Sequence, residues 1–199
     1  MEPLLLRGGY VFVVGLVLAH LEIQIEGKDG WAAKLPTWRW HPAWMARPIT
    51  GYLVCMTIFL LLVLHLPILY TGFTAALEGE VLAFFFLLTV FWDFQWFVWN
   101  PHFGVRGFRR GNVWWYRTWW GPLPADYFFG LAISVAVYVA SGPPRERAIQ
   151  WAALCGEFVA LTLVSMIAAR VAVRPVRPPF AVPDPAEPAG KATEGGEGA

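Results

Sequence analysis

Long apolar runs separated by short polar segments dominate the first 173 residues of the chain. A helix that crosses a membrane needs about 20 consecutive, mostly apolar residues. Five stretches have this character or approach it, and they cover residues 4–25, 49–73, 81–99, 124–140 and 151–173. The fourth is the shortest, but Pro124 at its start and Pro143 after its end are typical of helix boundaries. The pattern predicts an all-α, polytopic helical membrane bundle of about five transmembrane helices.

Composition agrees with this class of protein. The 199 residues are 57% hydrophobic and only 15% charged, whereas a soluble domain of this length needs a more charged surface. The formal net charge of +1 does not indicate a nucleic acid as a partner. The lipid bilayer is therefore the first partner that the sequence predicts.

The chain divides into a helical membrane domain, residues 1–173, and a tail, residues 174–199. The tail is rich in Pro, Gly, Glu and Ala, a composition that buries too little apolar surface to fold, so it is predicted to be disordered. Residues 1–19 are followed by His20, Leu21 and Glu22 rather than by a small-residue cleavage site. We therefore expect a retained first helix instead of a signal peptide.

Basic residues are distributed unequally between the two sides of the predicted spans. Twelve of the fifteen Lys and Arg residues fall on the side that holds loops 26–48 and 100–123 and the C-terminus. Because basic residues are retained in the cytoplasm, the N-terminus is predicted outside and the C-terminus inside. Eleven of the twelve tryptophans lie at or near the same side, and only Trp151 lies at the other. Indoles prefer the headgroup zone, so we expect the two loops to lie in the inner headgroup layer.

Ionisable and polar residues interrupt the first and third predicted helices near their cytoplasmic ends. Two sets share this depth: His20, Glu22, Gln24 and Glu26 on the first helix, and Asp93, Gln95, Asn100 and His102 on or just after the third. At about 100° per residue, Glu22 and Glu26 share one helical face, and His20 faces nearly the opposite way. The pattern predicts one constellation, formed by Glu22, Glu26, Asp93 and Asn100, with His102 added if the loop folds back.

Carboxylates with an imidazole suit a divalent metal ion, so Glu22, Glu26, Asp93 and His102 are candidate metal ligands, with His20 on the other face. Without a metal, clustered carboxylates suit acid–base or proton-transfer chemistry, and Glu22 and Asp93 are the catalytic candidates. A purely structural alternative pairs Glu26 with Lys28 or an interfacial arginine, and Asp93 with an indole N–H.

The loop after the third helix is basic, broken by glycines and aromatic. Its Arg106, Arg109 and Arg110 are candidates for binding anionic lipid headgroups at the cytoplasmic face. Placed beside the carboxylates, they would form a phosphate-recognition floor and point to lipid headgroup chemistry.

Two stretches, HLEIQIEGKDGWA (residues 20–32) and FWDFQWFVWNPHFG (residues 91–104), together with LPTWR at 35–39, carry a resemblance. With them, the chain resembles a family of small polytopic prokaryotic membrane proteins over residues 10–130. The resemblance implies the plasma (cytoplasmic) membrane of a prokaryote and one functional region that contains both stretches. It implies no activity, fold or cofactor.

Three hypotheses for function follow. The first is an integral membrane protein whose polar site at the cytoplasmic leaflet binds a metal ion or lipid headgroup and is open to a catalytic role. The second is a non-catalytic accessory or assembly subunit, which has another membrane protein as its partner. The third is a small transporter, which five short spans without a repeat disfavour. HExxH, GxSxG and phosphate-loop motifs are absent from the sequence, so no reaction is predicted.

Overall fold

The computed structural model describes residues 2–43, 45 and 47–174. Most of them belong to six helices: α1 Glu2–Glu26, α2 Gly51–Thr71, α3 Ala75–Trp99, α4 Gly104–Gly107, α5 Ala125–Ala140 and α6 Pro144–Ala172. Two short antiparallel hairpins precede α2 and α5: β1 Arg39–Trp40 with β2 Ile49–Thr50, and β3 Trp119–Trp120 with β4 Leu123–Pro124. The fold class is therefore all-α, as predicted. The tail at 175–199, predicted to be disordered, and Trp44 lie outside the described residues.

Four helices, α1, α2, α3 and α6, are long and apolar enough to cross a membrane. The remaining apolar helix, α5, has 16 residues, and at about 1.5 Å per residue it is shorter than a typical hydrocarbon core. A membrane-embedded protein is thus supported by length and composition. The helices differ from the predicted spans chiefly at their N-termini. Their first turns contain polar residues and therefore fall outside the apolar stretches from which the spans were predicted. Thus α6 starts at Pro144 and carries Arg145, Glu146 and Arg147 in its first turns.

Side-chain caps start α2 and α3. The Thr50 and Thr74 hydroxyls accept hydrogen bonds from the N–H groups of Leu53 and Leu77, at 3.2 and 3.1 Å. Such caps satisfy donors that the first helical turn leaves without partners. The helices therefore begin where local sequence permits a cap.

Helix α3 lies at the centre of the bundle, and α1, α2, α5 and α6 all pack on it. Close approach to α3 depends on small residues, because Gly15 of α1 lies against Leu88 and Gly130 of α5 lies against Val90. Ser134 also donates to the Ala83 carbonyl at 2.8 Å. Neighbouring helices thus approach α3 closely enough to bury both apolar and polar groups.

A buried polar network joins α3 to α6. Trp99 Nε1 donates to Ser165 Oγ at 2.7 Å, Ser165 donates to Gln95 Oε1 at 2.7 Å, and Gln95 donates to Thr162 at 3.3 Å. Hydrogen bonds between helices hold such bundles together where hydrophobic association is weak. Gln95 therefore belongs to the helix packing and not to the cavity described below.

Candidate functional site

The three predicted carboxylates, Glu22, Glu26 and Asp93, line one cavity of about 510 Å³. It lies at the tryptophan-rich end of the bundle, where α1 and α3 end and α2 and α5 begin. Glu22 and Glu26 stand four residues apart on α1, so the helical period directs both side chains toward α3. A cavity of this volume is in the range of small-molecule sites.

Glu22 is the most enclosed of the three, with only 8% of its surface exposed. The Trp92 indole and the Tyr52 phenol lie beside its carboxyl group. Neither Trp92 Nε1 nor the Tyr52 hydroxyl reaches a hydrogen-bond partner within the part of the chain that the structure describes. In that same part, no Lys, Arg or His forms an ion pair with Glu22. A buried carboxylate without a counter-ion therefore faces the cavity.

Glu26 is held by the backbone that follows it. Its Oε1 accepts a hydrogen bond from the Ala32 N–H at 2.7 Å. The chain turns back directly after α1 at Gly27, whose φ of 61° is readily adopted only without a side chain. The structural alternative, in which Glu26 pairs with Lys28 or an arginine, is wrong for the described residues, because Glu26 accepts a hydrogen bond from the Ala32 backbone instead.

Asp93 accepts a hydrogen bond from the Tyr127 hydroxyl, so its partner is a phenol and not the predicted indole. Tyr127 lies in the first turn of α5, directly after the second hairpin. Tyr116, in the loop before that hairpin, also lies beside Asp93. Burial, and next the Asp93 charge, raise the pKa of Tyr116 well above its ordinary value, so its hydroxyl keeps its proton at physiological pH.

Arg47 joins three segments at the rim of the cavity. Its guanidinium donates to the Trp115 carbonyl and to Asp126 Oδ2, both at 2.9 Å. It also lies 3.9 Å from the centroid of the Trp31 ring and 5.1 Å from that of Tyr116. One arginine thereby connects the segment before α2, the segment before α5 and the loop after α1.

Tryptophans at this end range from buried through half-buried to exposed. Trp92, Trp96 and Trp115 are buried, and the ring centroids of Trp96 and Trp115 lie 5.8 Å apart. Others, such as Trp38 and Trp114, are more than half exposed. Part of the tryptophan set therefore forms the wall between the two loops and the bundle, and the expected place of the loops in the headgroup layer stays a prediction.

The part of the cavity away from the carboxylates is mostly apolar, although Thr57 and Thr89 also line it. Leu53, Val54 and Ile58 line it from α2, Val90 from α3 and Gly130 from α5. Ile58 is 52% exposed, so the cavity reaches the outer surface of the bundle between α2 and α5. One cavity therefore combines a carboxylate-rich end with a mostly apolar end, which is formed in part by α2 and α3, two helices that are long and apolar enough to cross a membrane.

The other predicted residues lie elsewhere. His20 packs on Trp99 with ring centroids 4.7 Å apart, and its Nδ1 lies 2.7 Å from the Leu16 carbonyl oxygen. Asn100 donates to the Gly27 carbonyl at 2.7 Å and accepts from the His102 N–H, so it joins the ends of α1 and α3. His102 is exposed and does not line the cavity.

The lipid-headgroup candidates Arg106, Arg109 and Arg110 are exposed in and after α4 and do not line the cavity either. They do not form the predicted floor beside the carboxylates. Their surface position still suits contact with lipid headgroups, which stays a prediction.

Among residues 2–43, 45 and 47–174, no three His, Cys, Asp or Glu side chains are grouped as ligands of one metal ion. Metal binding by Glu22, Glu26, Asp93 and His102 stays a prediction that needs a direct measurement. His102 would have to move into the cavity to take part.

Arg47, Tyr116, Asp126 and Tyr127 line the cavity although sequence reasoning did not select them. The only local signal was an acidic and aromatic pair at the start of the fourth predicted helix. Nothing in a sequence relates that pair to Arg47, which lies 79 residues before Asp126.

Comparison with known proteins adds no further assignment. The chain matches no protein-family model, and neither the curated proteins nor the solved structures contain a match. The case for function therefore depends on the cavity.

Proposed function

We propose that this protein is an integral membrane protein that binds an amphiphilic, lipid-like molecule in the cavity. The polar group would lie by Glu22, Glu26 and Asp93, and the hydrocarbon chain against α2 and Val90. The observation that carries the proposal is that one cavity combines a carboxylate end with a mostly apolar end that lies between α2 and α5. Ligand sites are commonly apolar with a few polar groups that orient the ligand.

The distribution of basic residues supports a location of the bound headgroup in the inner leaflet. With five spans, an outside N-terminus and a cytoplasmic C-terminus, the carboxylates belong to the inner leaflet of a prokaryotic plasma membrane. The excess of Lys and Arg in the loops at this end supports that orientation. Arg106, Arg109 and Arg110 would then contact anionic headgroups around the entrance.

Lipid retention provides the test. Purified protein in a neutral detergent should retain a lipid that native mass spectrometry detects. Val54→Trp fills the apolar part of the cavity and should abolish retention, whereas Leu62→Trp, on the 65%-exposed surface of the same helix, should not. Equal retention by both variants, or no retained lipid in the wild type, would refute the proposal.

A second candidate, an accessory subunit of a membrane complex, is favoured by Glu157 of α6. Its Oε2 is buried against Gly8 and has no hydrogen-bond partner among the residues that the structure describes. Unpartnered polar groups within a membrane commonly mark functional or helix-contact sites. Copurification of a partner that Glu157→Leu releases, with no bound lipid in either protein, would establish this function instead.

A further inference from the structure

The lining of the cavity is strongly biased toward negative charge. Four carboxylates line it, from Glu22, Glu26, Asp93 and Asp126, against the single guanidinium of Arg47. That guanidinium already pairs with Asp126 at 2.9 Å. The three inner carboxylates have no ion pair with any described basic residue. A ligand that brings positive charge would compensate this end of the cavity.

Glu22 is the most enclosed of these carboxyl groups. It is more than nine-tenths buried and lines the cavity, and it forms no ion pair with a described basic residue. The Trp92 indole and the Tyr52 hydroxyl lie beside its carboxyl group without completing a hydrogen bond to it. Burying a carboxylate without compensation is costly, and a bound cation offsets that cost. The position of Glu22 on the cavity lining therefore favours a ligand that carries a cationic group.

Aromatic walls restrict which cation would fit. Six aromatic side chains line the cavity: Trp31, Trp92, Trp96, Trp115, Tyr116 and Tyr127. The faces of indole and phenol rings attract cations, and clusters of them recognise ammonium groups. The Arg47 guanidinium lies over the rings of Trp31 and Tyr116, so two of these six rings already contact a cation. A compact divalent ion would instead need converging ligands, and the described side chains form no such group of three.

We infer that the bound amphiphile carries an ammonium group, primary or quaternary, which lies between Glu22, Glu26 and Asp93 and contacts the aromatic wall. This inference rests on the proposed function, because it names the headgroup of the molecule that the cavity binds. The apolar end between α2 and α5 takes the hydrocarbon chain of the same molecule.

The test compares three lipids with identical oleoyl chains. Dioleoyl-trimethylammonium-propane carries an ammonium without phosphate, dioleoylglycerol is uncharged, and dioleoylphosphatidylglycerol is anionic. Native mass spectrometry should show that the wild type binds the ammonium lipid at least tenfold more tightly than either of the others. Glu22→Gln should reduce that preference about tenfold, because it removes one of the carboxylates that contact the ammonium group. Glu2→Gln, an exposed change on the same helix, should leave it intact.

Each other outcome is decisive. Equal binding of all three lipids, lost in Val54→Trp, overturns the ammonium headgroup and leaves the proposed function standing. Binding of none of them defeats both. A preference that survives in both Glu22→Gln and Glu26→Gln would place the ammonium elsewhere, and the second variant covers a folding defect in the first. Calorimetric binding of Mn²⁺ or Zn²⁺ that Glu22→Gln abolishes would identify a metal site instead.

Discussion

Gly30 gives a sharp test of how the loop after α1 packs on the aromatic wall. Its φ is +62°, and a Cβ built at this position would lie 2.5 Å from the Trp115 ring. Gly27 has nearly the same φ, +61°, but nothing lies within 4 Å of the corresponding Cβ position. An alanine in this left-handed region costs about 1–2 kcal/mol at either site. Only Gly30→Ala adds overpacking of a buried ring, which costs about 1–3 kcal/mol more.

The measurement is unfolding of each variant by sodium dodecyl sulfate in mixed micelles, followed by tryptophan fluorescence. We expect Gly27→Ala to lower the free energy of unfolding by about 1–2 kcal/mol. Gly30→Ala should lower it by about 2–5 kcal/mol, the sum of the two costs. If both variants lose the same stability, the loop does not pack on Trp115 and does not form part of the cavity wall.

Two further predictions concern the side chains that close the cavity. Arg47→Met removes a hydrogen bond, an ion pair and two aromatic contacts and should destabilise the protein by about 2–3 kcal/mol. Lys34→Met removes only an ion pair, in which the lysine side chain is 71% exposed, and should cost less than about 1 kcal/mol in the same unfolding assay. A loss of equal size would contradict the bridging role of the arginine. Tyr127→Phe leaves Asp93 without its phenol donor and should lower the free energy of unfolding by about 1–3 kcal/mol. The control, Tyr70→Phe at an 86%-exposed position, should change stability little. No difference between the two variants would show that the phenol contact is not maintained in solution.

Part of the candidate site could be predicted because helical periodicity is local. Glu22 and Glu26 share a face, and His20 faces away, from spacing alone. Their depth in an apolar helix also marked them, since such positions are costly for ionisable groups. The structure brings Asp93 to the same cavity as Glu22 and Glu26.

The partners of these groups were not accessible to the same reasoning. Asp93 hydrogen-bonds a phenol from α5 and not an indole, and Glu26 bonds the backbone at Ala32. Periodicity shows which face a residue occupies but not which element meets that face. Loops 26–48 and 100–123 were expected at the headgroup layer, and their packing on each other through Gly30 and Trp115 is a tertiary effect.

The sequence by itself determined that this is a helical membrane-type protein, which end of it is rich in tryptophan and basic residues, and which acids lie deep in apolar helices. Those properties follow from composition and from the 3.6-residue period, both of which are local. Only the tertiary structure decided that Glu22 forms no ion pair with a described basic residue, that Arg47 pairs with Asp126, and that a cavity lies between α2 and α5. The physical reason is that each depends on how separate helices pack, and neither hydrophobic pattern nor charge count specifies contacts between residues far apart in the chain.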